Sequence, residues 1–552
     1  MGSWAGRLVA LGAALAFLGG GWWLQRRPGL DGLRTHLQGD SVPSALLDYG
    51  ALGGILREND LVAAVPNPGT RFPAGDLGPE REEPLVFRRK SRPGADLYRA
   101  NPDRTPRGPS ARLPGGGRDH GDWTVLSIGI LPEDLEGEER GLLSRPEERI
   151  ERRASVAVYR GGELLFETRA GLKLHGGASR SPDNPNSYRL HFRDRYGATA
   201  LPPGLVFEGA IDPVSTLVVR RTRDFASAIA YGIGARLGSR VPRTEAALLY
   251  LNGRPQGCYF LTEHLSRRQV AGRLGHEAFY LYRRRGTASG SLEAIRRLRA
   301  WAMELAGRAR ASEVERYVDL EGLIPYWTTV AFCGTQDWEQ GAAFLNLADP
   351  EARWTWTHWD LDRSFQGDPA DRVAFGLFID DFRESHTSVP SILAKVLLAD
   401  DPVFRTRFVG FVRDSVNHRL TPGFLEELHG HFTALAVESG AGRGRMGGSL
   451  RFLLGRRHPL LEDLRARFGL PPVVELTVRS PGDRPARIEV DGHAHVTPWQ
   501  GWYFAGDRVG LRVADGESDS YAGWIVGGER YPLPALELVV EGPTVVVPAG
   551  RD

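Results

Sequence analysis

An unbroken apolar run stands at the start of the chain. Leu8–Leu24 ("LVALGAALAFLGGGWWL") is 17 residues without a charge, with Arg7 before it and Arg26 and Arg27 after it. That length is near the minimum that crosses a bilayer. Tryptophans at its end suit a membrane interface, and the Gly-Gly-Gly-Trp-Trp run offers no small-x-small cleavage site. Residues 1–27 therefore read as a membrane anchor, with a cleaved signal peptide as the alternative. Arginines on both sides leave the orientation open; the extracytoplasmic, envelope side is the expected one. Periodicity then vanishes. Residues 28–121 are rich in Pro, Gly and charge ("PNPGTRFPAGDLGPEREEP", "TPRGPSARLPGGGRDHGD") and read as a tether.

From Trp123 the pattern changes to period two. "WTVLSIGI", "ASVAVYR", "ELLFETRAGLKLHG", "SYRLHFR" and "STLVVRR" read as strands, with a turn at Gly161-Gly162. "DFASAIAYGIGARLG" has helical spacing and ends in Gly. "EAALLYLNGRPQGCYFLTEHL" is a hairpin around Asn252-Gly253, followed by a helix. From about Ser291 helical spacing takes over: "SLEAIRRLRAWAMELAG", "DLEGLIPYWTTVAFCGTQ", "PSILAKVLLAD", "PVFRTRFVGFVRDSVNHRL" and "GFLEELHGHFTALAVES". Among them lies a short β pair, "AAFLNLAD" and "RWTWTHWDLD". Residues 122–470 thus read as an α+β unit in which a β-rich lobe precedes a helical lobe. That is the layout of a two-lobed, protein-kinase-like fold. Residues 471–552 return to short strands and Gly/Pro/Asp turns and read as a separate β-sandwich, a binding or packing module.

Composition narrows the picture. With 552 residues the chain has room for a large core and more than one domain. A net charge of +2 with 25% charged residues gives no sign of a nucleic-acid binder. Lysine occurs only at positions 90, 173 and 395, so an anion site here would use arginine, whose planar fork suits phosphate. Two cysteines, Cys258 and Cys333, are too few for a disulfide framework or a cysteine zinc site; one disulfide between them stays open.

Three constellations carry candidate chemistry. In Leu172–Arg193 a strand enters a Gly-rich turn with Arg180, and a second strand returns with Arg189. Glycines let a backbone approach a phosphate, and an arginine clamps it. An ordinary hairpin with a polar loop is the plain alternative. In "LYLNGRPQGCYFLTEHL", Glu263 ends the second strand of a tight hairpin, either facing an inter-lobe site or serving as an edge carboxylate. In "CGTQDWEQGAAFLNLADPEARWTWTHWDLDRSF", Asp337 follows an apolar helix and Asp360 and Asp362 close the next hairpin. Mg²⁺ takes one or two carboxylates plus substrate phosphates, and phosphoryl transfer needs a further carboxylate for the nucleophile's proton. The alternative pairs these acids with arginines such as Arg353 and Arg363.

Taken in order, these motifs resemble the spore-coat-protein-H-like (CotH) kinases. The resemblance rests on "LHGGASR", "SYRLHF", "LYLNGRPQGCYFLTE", "QDW" and "WDLDRSF", with "DPVFRTRFVGFVRDSVN" similar to the family's closing helix. It spans roughly residues 123–420. It implies an atypical protein kinase using ATP and a divalent metal, Mg²⁺ or Mn²⁺, on protein Ser/Thr hydroxyls. By position Asp337 would be the catalytic carboxylate and Asp360 the metal-binding aspartate, supported by Asp362. Arg180 and Arg189 would contact phosphates, and Glu263 would lie near the nucleotide. Two positions depart from the pattern. Asn186-Ser187 stands where a lysine is common. Glu339-Gln340-Gly341-Ala342 stands where an Asn supplies a second metal ligand, which leaves Gln340 as the metal-side candidate there. The departures keep a second expectation alive, a weak or inactive pseudokinase acting as an envelope scaffold. Nucleotidyl transfer at the same acids is a third. The C-terminal "WQGWYFAGDRVGLRVADGESDSYAGWIVGG" resembles β-repeat modules of bacterial surface proteins.

Overall fold

The structure is a computed structural model that describes residues 123–176, 180, 186–222, 225–283, 286–290, 292–335, 338–370, 388–438, 446–514 and 520–550. The expected anchor and tether lie outside the described residues. Among those described, no helix is long and apolar enough to cross a membrane. The fold is a mixture of α and β with several sheets.

Seven strands close into a barrel: β1 Thr124–Gly129, β2 Arg152–Arg160, β3 Glu163–His175, β4 Ser187–His191, β5 Thr216–Arg221, β6 Thr244–Leu251 and β7 Arg254–Glu263. Their order around the barrel is β1-β2-β3-β4-β5-β7-β6. All neighbours are antiparallel except β1 and β6, whose parallel pairing completes the ring. The β6–β7 turn uses Asn252 (φ 49°) and Gly253 (φ 75°), the pair of left-handed positions that a two-residue hairpin requires.

Alternation along each strand decides which side chains fill the barrel. Leu126 and Ile128, Val156 and Val158, Leu172 and Leu174, Tyr188 and Leu190, Leu217 and Val219, and Leu249 and Leu261 form one internal core. The residues between them point outward, and the barrel's surroundings divide them into two kinds. Val125, Tyr159, Leu248, Tyr250 and Phe260 are apolar and join the core of the helical part. On β3, β4 and β5 the outward set is His175, Arg189 and Arg220. This polar patch is where the candidate site forms.

The helical part holds α1 Ala226–Leu237, α2 Arg267–Leu274, α3 Leu292–Glu304, α4 Leu320–Cys333, α5 Val389–Asp400, α6 Pro402–Asp414, α7 Pro422–Glu438 and α8 Gly447–Phe468. α1 ends at Gly238 (φ 87°), the left-handed cap its terminal glycine predicts. α4 is buried along nearly its whole length, with Trp327 edge-on to Phe404 and Phe408 of α6. The helix α8 has no place in the sequence-based expectation. Its Gly455, Pro459 and adjacent arginines blur a 3.6-residue apolar stripe. Two buried arginines tie it down through backbone carbonyls: Arg456 donates to Ala331 O (3.1 Å) and Arg457 to Val416 O (3.0 Å).

The short β pair is present as β10 Ala342–Asn346 and β11 Thr355–Thr357. It belongs to a larger sheet, β11-β10-β8-β9, with β8 Phe279–Arg283 and β9 Gly286–Ser289. Both cysteines are buried and free, so the disulfide left open by the sequence is not formed.

Residues 473–550 form two packed sheets. One runs Trp499–Phe504, Val473–Val478, Thr544–Gly550, Tyr521–Val526, Glu529–Tyr531, and the other His493–Val496, Arg487–Val490, Asp507–Val513, Ala535–Val540. Trp524, Tyr503 and Leu476 fill the space between them. This sandwich is docked on the π-turn Ser415–Arg419. The Asn417 side-chain amide brackets Trp502, donating to its carbonyl (2.8 Å) and accepting from its N–H (2.9 Å). The Arg457 guanidinium lies over the Trp502 ring at 4.7 Å.

Candidate functional site

The cationic half of the site grows from the outward faces of β3 and β4. Arg189 lies opposite Lys173 in the β3–β4 register, one step from His175. Its Nη2 donates to His175 Nδ1 at 2.7 Å. A guanidinium has no acceptor, so this contact leaves Nδ1 unprotonated and puts the imidazole proton on Nε2. His264, the residue after β7, is arranged the same way: Arg283 at the end of β8 donates from Nη1 to His264 Nε2 (3.0 Å). Both histidines are therefore neutral. Burial holds both pKa values well below the ordinary histidine value, and Arg189 adds to the effect in each case. Burial, with Arg283 nearby, also pushes the Arg189 guanidinium down to about 10.

These contacts leave donors without partners. Arg189 Nε and His264 Nδ1 are buried and have no hydrogen-bond acceptor among the described residues. Buried donors in that state favour an anion, because leaving each unsatisfied costs about 1–3 kcal/mol. Arg180, on the loop between β3 and β4, donates to Pro146 O (3.0 Å) and adds its positive charge to the field at His175.

The acidic half is brought up by the end of the β10–β11 hairpin. Gly341 opens that hairpin where a Cβ would come within 2.7 Å of Thr357 O and 2.9 Å of the Tyr326 hydroxyl. No asparagine fits at that position. After β11, His358 is fully buried and stacks on Tyr326 (4.0 Å between ring centres, 4° between planes). Burial pushes its imidazole down to about 3. Trp354 packs against Tyr280 and Tyr282 of β8. The aromatic residues around the acids thus lock the strand to its sheet and to α4. Trp359 follows, edge-on to His175 (6.4 Å) and His264 (5.7 Å), which joins this segment to the cationic half.

Asp360 takes a left-handed conformation (φ 62°), which aspartate tolerates better than most residues. Its N–H donates to the hydroxyl of Tyr231, a fully buried residue of α1 (2.8 Å). Its carboxylate pairs with Arg220 of β5 through Oδ1, and Asp362 Oδ2 accepts from the same Arg220 nitrogen at 3.0 Å. Arg220 lies over Phe260, its cross-strand neighbour, at 5.8 Å. Burial alone would lower its pKa; the two carboxylates raise it above the ordinary value.

The residues singled out from sequence therefore fall into three groups. Arg189, Asp360 and Asp362 meet around Trp359 and Arg220, with Arg180 adding to the field. Glu263 stands apart. It is 1% exposed and held by Arg243 (2.9 Å) and Arg273 (2.6 Å), with Asp212 bridging the same two arginines. Its neighbour His264 is the residue that reaches the site. Asp337 lies outside the described residues. Gln340 ends the short turn Trp338–Gln340 and is half-buried. Both acids meet Arg220, which lies 140 positions upstream of Asp360 and is not one of the arginines beside them in sequence. His175, His264, Arg220, Arg283 and Tyr231 were not identified from sequence. The one signal for His175 and Arg220 was the alternation of "LKLH" and "LVVRR", which puts them on the face of Arg189.

Among the described residues, no group of three or more His, Cys, Asp or Glu could hold a metal. Two carboxylates do converge on one cationic centre, and that donor chemistry fits Mg²⁺ or Mn²⁺, which prefers oxygen and completes its shell with phosphate and water. The orphaned donors Arg189 Nε and His264 Nδ1 fit the phosphates of ATP. Residues 222–437 match the family model described as CotH kinase protein. The resemblance read from the motifs is shown over that segment, which runs from the entry to α1 to the end of α7 and includes His264, Arg283, Asp360 and Asp362. His175, Arg189 and Arg220 precede it. No curated protein matches the chain.

Proposed function

We propose that this protein is an atypical kinase that transfers the γ-phosphate of ATP to Ser or Thr hydroxyls of a protein substrate. In this reading the barrel serves as the β-rich lobe and α3–α8 as the helical lobe. The observation that carries it is the meeting of two unlike halves at Trp359: buried donors without an acceptor among the described residues on one side, paired carboxylates on the other.

Each residue has a defined task. Arg189 and Arg283, with Arg180, bind the phosphates. Holding His175 and His264 neutral lets them donate hydrogen bonds without adding positive charge to an already cationic patch. Asp360 and Asp362 hold Mg²⁺ or Mn²⁺, which when bound neutralises charge on the phosphates. Asp337 orients the substrate hydroxyl and accepts its proton. Gln340 contributes on the metal side. Glu263, inside its ion network, supports His264 from behind. Trp359 excludes water between the two halves. Residues 1–27 tether the kinase to a membrane, and a reporter fused after Asp552 reads the side.

The test is transfer of labelled γ-phosphate by the full-length protein with Mg²⁺ or Mn²⁺. Asp360→Ala is expected to lower the rate by roughly 100-fold or more. Full activity in that variant, or no transfer by the wild type, would sink the reading. The contact of both acids with Arg220 favours a second reading, a pseudokinase scaffold in which the guanidinium stays where a metal would bind. That reading expects no metal-dependent thermal shift with ATP.

A further inference from the structure

We propose that Arg220 is a built-in competitor for the divalent cation: it occupies Asp360 and Asp362 until metal and nucleotide arrive together, then exchanges the carboxylates for phosphate. The proposal rests on the phosphoryl-transfer reading of this site and adds a mode of regulation to it.

Four observations lead to it. One guanidinium nitrogen serves both carboxylates, so a single arginine takes up the charge that a metal would use. The arginine is anchored from the barrel and the acids from the β10–β11 hairpin, so their contact spans two separate parts of the fold. Arg220 also acts on the other half of the site, since its charge helps keep His175 neutral. The guanidinium is thus near enough to the cationic half for its charge to be felt there, while its hydrogen bonds go to the carboxylates. Finally, Phe260 supports the guanidinium from below by contact with its face, which requires no particular hydrogen-bond partner.

The exchange is balanced in charge. With Arg220 on the acids, its charge offsets one of the two carboxylates and weakens their draw on a lone divalent cation. When a metal–nucleotide complex enters, its phosphates offer the displaced guanidinium a charged acceptor in place of the carboxylates that it leaves. Metal alone offers none. Metal binding should therefore depend on nucleotide, and by linkage the dependence is reciprocal.

Calorimetric titration of the full-length protein with Mn²⁺, without nucleotide, tests this. Arg220→Gln is expected to bind Mn²⁺ about tenfold more tightly than the wild type. The gain in Mn²⁺ affinity on adding a non-hydrolysable ATP analogue should be smaller in the variant. Equal or weaker Mn²⁺ binding by the variant, with Mn²⁺ bound by the wild type, overturns the competitor role and leaves the metal reading of the acids intact. Absence of Mn²⁺ binding in both proteins, with and without the analogue, overturns both. Should Arg220→Gln fail to fold, the Nε resonance of Arg220 in the wild type gives the answer. It should move when Mn²⁺-free Mg²⁺ and analogue are added together and stay in place with Mg²⁺ alone. A resonance that ignores the pair overturns the proposal.

Discussion

Two tryptophans in this protein sit among histidines, and the two surroundings have opposite characters. Trp359 meets His175 and His264 edge-on, and each histidine takes its hydrogen bond from an arginine. Trp499 lies parallel to His418 (5.9 Å) and close to His495 (5.2 Å), where the helical part meets the sandwich. There the partners are another histidine and an acid: His418 Nδ1 is 2.9 Å from His495 Nε2, and His418 Nε2 is 3.6 Å from Asp491. Asp491 also accepts from the Tyr503 hydroxyl (3.0 Å) and from the Gly510 N–H (2.9 Å). The second cluster gathers around one carboxylate, although His418 Nε2 and Trp499 Nε1 are buried there without a hydrogen-bond partner among the described residues. The first keeps Arg189 Nε and His264 Nδ1 without an acceptor among the described residues. The difference that matters is charge: a carboxylate at the centre of the second cluster offsets its donors and holds parts together, whereas the arginines of the first leave a positive surplus that suits an anionic ligand.

Three variants press on this contrast. The largest effect belongs to the open cluster. Arg189→Met should raise the ATP concentration for half-maximal transfer about tenfold or more, since in the proposed reading it removes a charge-assisted phosphate contact. Initial-rate kinetics read this, and an unchanged half-saturation would move the phosphates elsewhere.

Asp491→Ala comes next. It strips acceptors from Tyr503 and Gly510 and removes the carboxylate paired with His418, at a cost of about 2–3 kcal/mol. Denaturant unfolding measures the loss. Transfer per folded molecule should stay at the wild-type level, and a fall there would show that the second cluster serves the reaction.

The smallest effect concerns acid. His175, His264, His493 and His495 all have folded-state pKa values below the ordinary one, chiefly through burial, with His495 pushed down to about 3. The unfolded chain takes up these protons first, so stability is full above about 6.5 and declines as pH falls below it. For His495 the decline continues to about pH 3. His495→Asn should therefore reduce the drop in melting temperature between pH 7 and pH 5 by roughly 2 °C. An identical drop in wild type and variant would mean that the burial of His495 is not coupled to folding.

Much of the secondary structure was legible in the chain because each element obeys a local rule. Period two marked the barrel strands, Asn252-Gly253 marked a hairpin, and a terminal glycine marked the end of α1. The misses have equally local causes. Helix α8 hides behind Pro459 and buried arginines that bond carbonyls of other elements. Strand β8, "FYLYR", is short and buried on nearly every residue, so it shows no alternation. Glu263 was noticed where His264 reaches the site, because along a strand adjacent residues face opposite ways and only the fold says which face matters.

The sequence by itself determined that Lys173 and His175, Arg189, and Val218 and Arg220 share the outward face of their strands, because side-chain direction alternates with a period set by the backbone. It also placed Asp360 and Asp362 at the end of a hairpin wrapped in aromatics. Only the tertiary structure decided that these acids meet Arg220. That contact spans 140 positions and requires the barrel to close and the hairpin to return to it. No local pattern encodes the choice among so many arginines. It follows from where the apolar faces of the strands and helices force the two chain segments to pack.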